Sequence, residues 1–342
     1  MGQRDVRLAP AAQPGGRRRE GKVVDDEDED VLRAAGLAFD EGFDFFYSGQ
    51  SDKALAAFHE AYGIYRRAGV NEGQTDCLLY IAIVFSYEGR YEDVVVTYRK
   101  ALRLAPQASR WRRRLTWLSN MGRALERLAR YEEALDSYRE ALQVHREFGR
   151  DECRQITWLN DAGHVLQRVG RHDEALESYR EALEICRRTD CAGRQKADCL
   201  ESIGLSLSEL GRYEEALAFC REALDIYRKL PNVDQDRGDC LLRVGNVLYW
   251  DGRFEGARES YCQALEVYRR LKGAERRQAD CLVSIGKAQV MLDRYAEALA
   301  SWGEALEFYR RVGGGQEDQS DCLEEAMREL RDATGSHEED TR

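Results

Sequence analysis

The chain has 342 residues, 43% of them apolar and 34% charged, with a formal net charge of -11. That length and apolar share support a large folded body and exclude a wholly disordered chain. The acidic balance excludes general attraction to nucleic acid or to an anionic membrane, both of which need basic surface. The longest nearly apolar run, Leu78 to Phe85, is too short to span a bilayer, and the arginine-bearing N-terminus lacks an apolar signal core. A cytoplasmic, reducing location is therefore expected. Val6 stands where a myristoylation signal after Gly2 needs Ser or Thr, so no lipid anchor is expected.

Residues 1–30 join a basic stretch, Arg17 to Arg19, to an acidic run, Asp25 to Asp30. Few large apolar side chains accompany them, and a disordered charged arm without an assigned role is predicted. From Val31 a helical pattern starts and recurs. GRYEEALAFCREAL, from Gly211, has relatives beginning at Gly49, Gly89, Ala129, Gly170, Gly252 and Asp293, at intervals of 40, 40, 41, 41, 41 and 41 residues. A period of this size means stacked units, none of which can bury its apolar face alone.

Each unit reads as two antiparallel helices. Around Gly211, the residues Leu200, Ile203, Gly204 and Leu207 form one apolar face. Gly211 can end that helix in the left-handed backbone, and Glu214 and Glu215 open the next one with charge that suits the helix dipole. Ala216, Cys220, Ala223 and Leu224 form the second face, and the small residues Gly204, Ala216 and Ala223 predict close helix axes. In repeat 2, the β-branched Val94, Val95 and Val96 predict the loosest part of the stack, whereas repeats 4 to 7 are the most regular. Gly313 to Gly315 follow a helix and lack the Lys-Ser/Thr ending of a phosphate loop, so they read as a linker to a final helix.

Ten cysteines would suggest disulfides in a secreted chain. Cys77, Cys199, Cys240, Cys281 and Cys322 instead share one repeat position, which Trp117 and Trp158 fill in two other repeats. Equivalent residues of stacked helices lie roughly 8 to 10 Å apart, whereas a bridge needs Cα atoms within about 7 Å. They are predicted to be small buried core residues, as are Cys186 and Cys220 at positions held elsewhere by tyrosine. No CxxC pair occurs and the five histidines lack ligand spacing, so neither metal nor cofactor is expected.

Leu200, Gly204, Leu207, Gly211, Tyr213, Ala216 and Ala223 resemble the signature positions of the tetratricopeptide repeat. The match recurs over residues 31–317, with 318–334 resembling a solvating C-terminal capping helix and 335–342 reading as a disordered tail. The 40–41-residue period is similar to that of kinesin light chains and related adaptors rather than to the family's usual shorter one. The resemblance implies an all-α, right-handed α-solenoid of seven antiparallel helix pairs whose first helices line a concave groove.

Carried over position by position, the implied lining is Leu79, Ile83 and Tyr87 in repeat 2. In repeats 3 and 4 it is Arg123, Arg127, Asn160, His164, Gln167 and Arg168. In repeats 6 and 7 it is Leu242, Asn246, Tyr249, Trp250, Val283, Lys287, Val290 and Met291. The expected partner is a peptide or helix with an acidic portion against Arg123, Arg127 and Arg168 and an apolar portion against Tyr249, Trp250 and Met291. Trp250 is read either as an interface anchor or as packing against a neighbouring repeat. A carboxylate clamp like that of the family's chaperone-binding members is not implied, since of Phe43, Ile83, Arg123, His164, Leu205, Asn246 and Lys287 only Asn246 matches its pattern.

A second column, Asp76, Asp198, Asp239, Asp280 and Asp321, has two readings: an acidic rim if the first helices begin a turn earlier, or N-caps if they begin there. No constellation of acid, base and nucleophile is visible, which points to a non-enzymatic, monomeric scaffold. A self-assembling structural protein is the alternative, opposed by the polar Glu324, Arg328, Glu329 and Arg331 of the last helix. An RNA-binding role would rest on Arg110, Trp111, Arg112, Arg113 and Arg114.

Overall fold

The computed structural model describes residues 26–105, 111–149, 151–189, 193–312 and 317–339, which form helices and turns, with no strand among them. The chain divides into two compact units, Met1–Ala105 and Pro106–Arg342. The first holds α1 (Asp26–Tyr47), α2 (Ser51–Arg67), α3 (Asn71–Tyr87) and α4 (Tyr91–Leu104). The second holds α5 (Trp111–Arg127), α6 (Tyr131–Phe148), α7 (Gln155–Arg168), α8 (His172–Thr189), α9 (Gly193–Glu209) and α10 (Tyr213–Tyr227). It continues with α11 (Asp234–Trp250), α12 (Phe254–Arg269), α13 (Glu275–Val290), α14 (Tyr295–Val312) and α15 (Glu317–Glu339). Odd and even helices pair in sequence order as the repeat pattern requires. Helix α1 starts at Asp26, inside the segment read as an arm, and α15 runs to Glu339, beyond the predicted cap. The glycine linker 313–315 and residues 1–25 lie outside the described residues.

Every odd-to-even turn in the seven pairs is built alike. At Gly211 (φ 74°), the Gly211 amide donates to Ser208 O at 3.0 Å and the Arg212 amide to Leu207 O at 2.9 Å. This satisfies carbonyls that the helix end would leave orphaned. Gly49, Gly89, Gly170 and Gly252 do the same, and Ala129 (φ 56°) and Asp293 (φ 57°) adopt the left-handed backbone without being glycine. In six of the seven turns an arginine follows and anchors the next helix. Arg171 bonds Glu174 at 2.6 Å and reaches back one repeat to Glu132 at 3.0 Å, and Arg253 likewise reaches Glu214 at 3.0 Å. These pairs lie at the surface, where solvent screens them.

The signature glycines permit the helix contact. A Cβ on Gly122, Gly163 or Gly245 would lie 2.6, 2.6 or 2.4 Å from the ring of Tyr138, Tyr179 or Tyr261, and on Gly204 it would meet Cys220 Sγ at 2.4 Å. Any side chain there forces the partner helix outward. Val94 and Val95 are buried and Val96 is exposed. The division between the two units falls just after α4.

Cys77, Cys199, Cys240 and Cys281 are wholly buried thiols, as their shared position predicts. Two cysteines depart from expectation. Cys322 is exposed, because no later helix among the described residues packs over α15. Cys153, off the column in the 3-10 turn Glu152–Arg154, is disulfide-bonded, against the expectation that no cysteine is bridged.

The capping reading of the aspartate column is overturned for Asp76, Asp198, Asp239 and Asp280. Their helices begin at Asn71, Gly193, Asp234 and Glu275, so each aspartate lies inside its helix. Three of them are instead clasped by a tyrosine near the end of the paired helix: Tyr227 to Asp198 at 2.7 Å, Tyr268 to Asp239 at 2.6 Å and Tyr309 to Asp280 at 3.0 Å. Asp225 pairs with Arg228, and Arg188 reaches Glu152.

Candidate partner-binding face

The odd helices of the second unit turn one strip of residues to solvent. Within each helix the residues one and five positions after the signature glycine share that strip, being four apart. From α5 to α13 the first row reads Arg123, His164, Leu205, Asn246 and Lys287, and the second Arg127, Arg168, Glu209, Trp250 and Met291. Apart from the half-buried Leu205, the first row is exposed. Trp250 and Met291 keep 49% and 48% of their surface in solvent. About half of the Trp250 surface is thus open to solvent and half is covered. Tyr249 beside it is half-buried, its ring edge-on to Phe254 at 5.3 Å. Leu242 is half-buried on α11.

The three arginines gather around two half-buried carboxylates. Arg123 Nε lies 3.7 Å from Asp161 Oδ2, Arg168 stacks over the Tyr131 ring at 5.2 Å, and Glu126 accepts a hydrogen bond from Tyr138 Oη. Burial pushes Glu126 up from its ordinary value, against the pull of that hydrogen bond and of Arg168, Arg123 and Arg127. Burial likewise raises Asp161 to about 6, with Arg123 opposing and Glu126 adding to the rise. The cationic end of the strip therefore carries its own acids.

Several carried-over positions serve the fold. Gln167 accepts from Tyr179 Oη at 2.9 Å and donates to Ser202 O and Ser206 Oγ at 3.2 and 2.7 Å. Asn246 Oδ1 accepts from Tyr261 Oη at 2.7 Å, and Asn160 Oδ1 accepts from the Cys199 thiol at 3.4 Å. Ile83 is buried rather than lining a surface. Between α7 and α9 lies an open depression of about 500 Å³ lined by His164, Gln167, Arg168, Gly170, His172, Leu205 and Glu209. In the Arg110–Arg114 run, Arg114 pairs with Glu140, Arg112 sits over the Trp111 ring, and Arg110 lies outside the described residues.

Sequence register already places Phe43 in the first row, whereas Phe46, Tyr47 and Tyr80 were not singled out from the sequence. Phe43 and Tyr47 on α1 occupy the same two rows, and with Phe46, Tyr80 and Tyr87 they make an aromatic surface within the first unit. The spacing of Tyr47 from Gly42 carries the signal that would have found it.

Stacked antiparallel helix pairs with small residues at each crossing and a left-handed turn after each odd helix define a helical-repeat protein. The tetratricopeptide repeat model matches residues 113–188, 153–229 and 239–315, more than half of the chain, and the chain belongs to that family. Comparison with curated proteins returns no match. Among solved structures, it is similar to a signal-transduction ATPase with a tetratricopeptide repeat sensor from Pyrococcus horikoshii, with TM-score 0.67, 13% identity, and coverage of 88% of this chain and 45% of that one. It is also similar to the apo quorum sensor NprR from B. thuringiensis, with TM-score 0.58, 17% identity and coverage of 90% and 82%. A kinesin light chain with nearly identical repeats from Podospora anserina matches with TM-score 0.51, 14% identity and coverage of 58% and 96%. No helix among the described residues is long and apolar enough to cross a membrane.

Proposed function

We propose that the chain is a non-enzymatic interaction scaffold or adaptor that binds a peptide or helix of a partner protein along the odd-helix strip of α5 to α13. The observation that supports this most is the exposure of Trp250 and Met291 at equivalent positions of consecutive repeats, in the same row as Arg127 and Arg168. Half-exposed aromatic and Met side chains in such a row are what a partner's apolar anchor needs. The arginines at the other end favour an acidic stretch. Consecutive odd helices stand roughly 10 Å apart, so Arg168 and Trp250 are about 20 Å apart, the span of about six extended residues. The ligand is accordingly a segment with its acidic and apolar portions about six residues apart. The fold likeness to a repeat sensor and a quorum sensor is in keeping with recognition as the task of the repeats.

The test is affinity capture with mass spectrometry, comparing the full chain with a variant carrying Arg123→Ala, Arg127→Ala, Arg168→Ala, Tyr249→Ala and Trp250→Ala. Matching circular dichroism and melting establish that the variant is folded. Partners lost only from the variant support the strip as their site. Partners retained equally by both sink this placement.

A further inference from the structure

The aromatic surface of the first unit is separate from the strip just described and does not depend on its function. Tyr47 and Tyr87 are 80% and 66% exposed, large for tyrosines that belong to a cluster. Around them Phe43 stacks on Tyr47 at 6.3 Å, Phe46 meets Tyr87 at 5.4 Å, and Phe43 meets Tyr80 at 4.4 Å. A contiguous aromatic face left open to water marks a place where something docks.

The charge at this face says what kind of segment fits. Asp40 lies three and seven residues before Phe43 and Tyr47, on their side of α1, and Asp44 follows a turn after Asp40. Over its whole length α1 carries Asp26, Glu27, Asp28, Glu29, Asp30, Asp40, Glu41 and Asp44 against Arg33 alone. The complement is a basic segment with apolar side chains. The chain contains one next to this helix: residues 4–22 bear Arg4, Arg7, Arg17, Arg18, Arg19 and Lys22 against Asp5 and Glu20, with Val6 and Leu8 two apart. In an extended segment, residues two apart share a side.

Reach allows the contact. Tyr47 lies 21 residues beyond the start of α1, about 31 Å along the helix. The 25 residues before Asp26 can span up to about 80 Å when extended, ample to run back along it. We propose that the N-terminal segment around Arg4–Leu8 docks on the Phe43, Phe46, Tyr47 and Tyr87 face, Val6 and Leu8 meeting the rings and the arginines meeting the acids of α1.

Amide hydrogen exchange on the full-length chain tests this in low salt. Wild type is compared with Val6→Asp/Leu8→Asp and with Tyr47→Ala/Tyr87→Ala, whose exposed side chains leave the fold intact by circular dichroism. The expected result is exchange of the residue 4–9 amides at least tenfold slower in wild type than in either variant. Exchange of these amides at the unstructured rate in wild type, or protection unchanged in Tyr47→Ala/Tyr87→Ala, overturns the proposal. So does a wild-type mass that doubles with concentration and returns to monomer in Tyr47→Ala/Tyr87→Ala, which assigns the face to a second copy.

Discussion

The Tyr227 hydroxyl, near the end of α10, donates to Asp198 Oδ1 of α9 at 2.7 Å and also to Glu201 Oε2 at 3.1 Å. Tyr268 with Asp239 and Tyr309 with Asp280 repeat the clasp 41 and 82 residues on. In repeats 3 and 4 both partners change together: His145 or Cys186 stands for the tyrosine, and Thr116 or Thr157 for the aspartate. In these three pairs the clasp ties the far end of the even helix to the body of its odd partner. Removing one hydroxyl leaves a half-buried carboxylate without its donor.

Tyr227→Phe, Tyr268→Phe and Tyr309→Phe should therefore each destabilise the second unit by about 1 to 3 kcal/mol, the range for hydrogen bonds to charged groups. Urea unfolding of the single variants measures this. A midpoint unchanged in all three would show that the clasp is incidental.

Ala129 holds φ 56° at a turn where equivalent repeats use glycine, and an added Cβ at those glycines meets nothing within 4 Å. The backbone conformation alone is then at stake. Ala129→Gly should stabilise, and Gly211→Ala destabilise, each by about 1 kcal/mol. The midpoints must move in opposite directions, and a shift of both in the same sense contradicts the argument.

Burial raises Asp161 to about 6 in the folded chain, above its ordinary value of 3.8. The folded state then binds the proton more tightly than the unfolded one. The stability this group contributes is complete below about 3.8 and is lost as pH rises through about 6, a difference of at most about 3 kcal/mol. Asp161→Asn should gain stability relative to wild type at pH 7.5, and the gain should shrink as pH falls toward 4. Parallel pH profiles for the two proteins would contradict it.

His145 behaves in the opposite sense. Its ring is buried between Trp111 and Trp158 with neither nitrogen hydrogen-bonded, and burial lowers its pKa from 6.5. The unfolded chain takes the proton first, so stability present above 6.5 is lost as pH falls below that value. His145→Phe should flatten this acid limb, read as melting temperature between pH 7 and 5. An unchanged slope would place the acid sensitivity elsewhere.

The repeat period, the glycine turns and the buried cysteine column were legible because each depends on local backbone or on a position recurring in register. The Tyr227 to Asp198 clasp was not legible. Aspartate in mid-helix and aspartate at an N-cap look alike until the start of α9 at Gly193 is known. Candidate strip residues such as Arg123, Arg168, Trp250 and Met291 came from register and are exposed, whereas Ile83 is buried. Register fixes the side of a helix; the size of the neighbours decides whether that side is open. The bridge at Cys153 had no repeat position to announce it.

The most direct test of the central claim is selection of peptides from a random library on the full-length chain, followed by titration against two folded variants. One is Trp250→Ala/Met291→Ala and the other Arg123→Ala/Arg127→Ala/Arg168→Ala. The account predicts selected peptides with acidic and apolar portions about six residues apart, losing at least about tenfold in affinity, or 1.4 kcal/mol, in each variant. Peptides of no common pattern, or affinities equal in all three proteins, would contradict it.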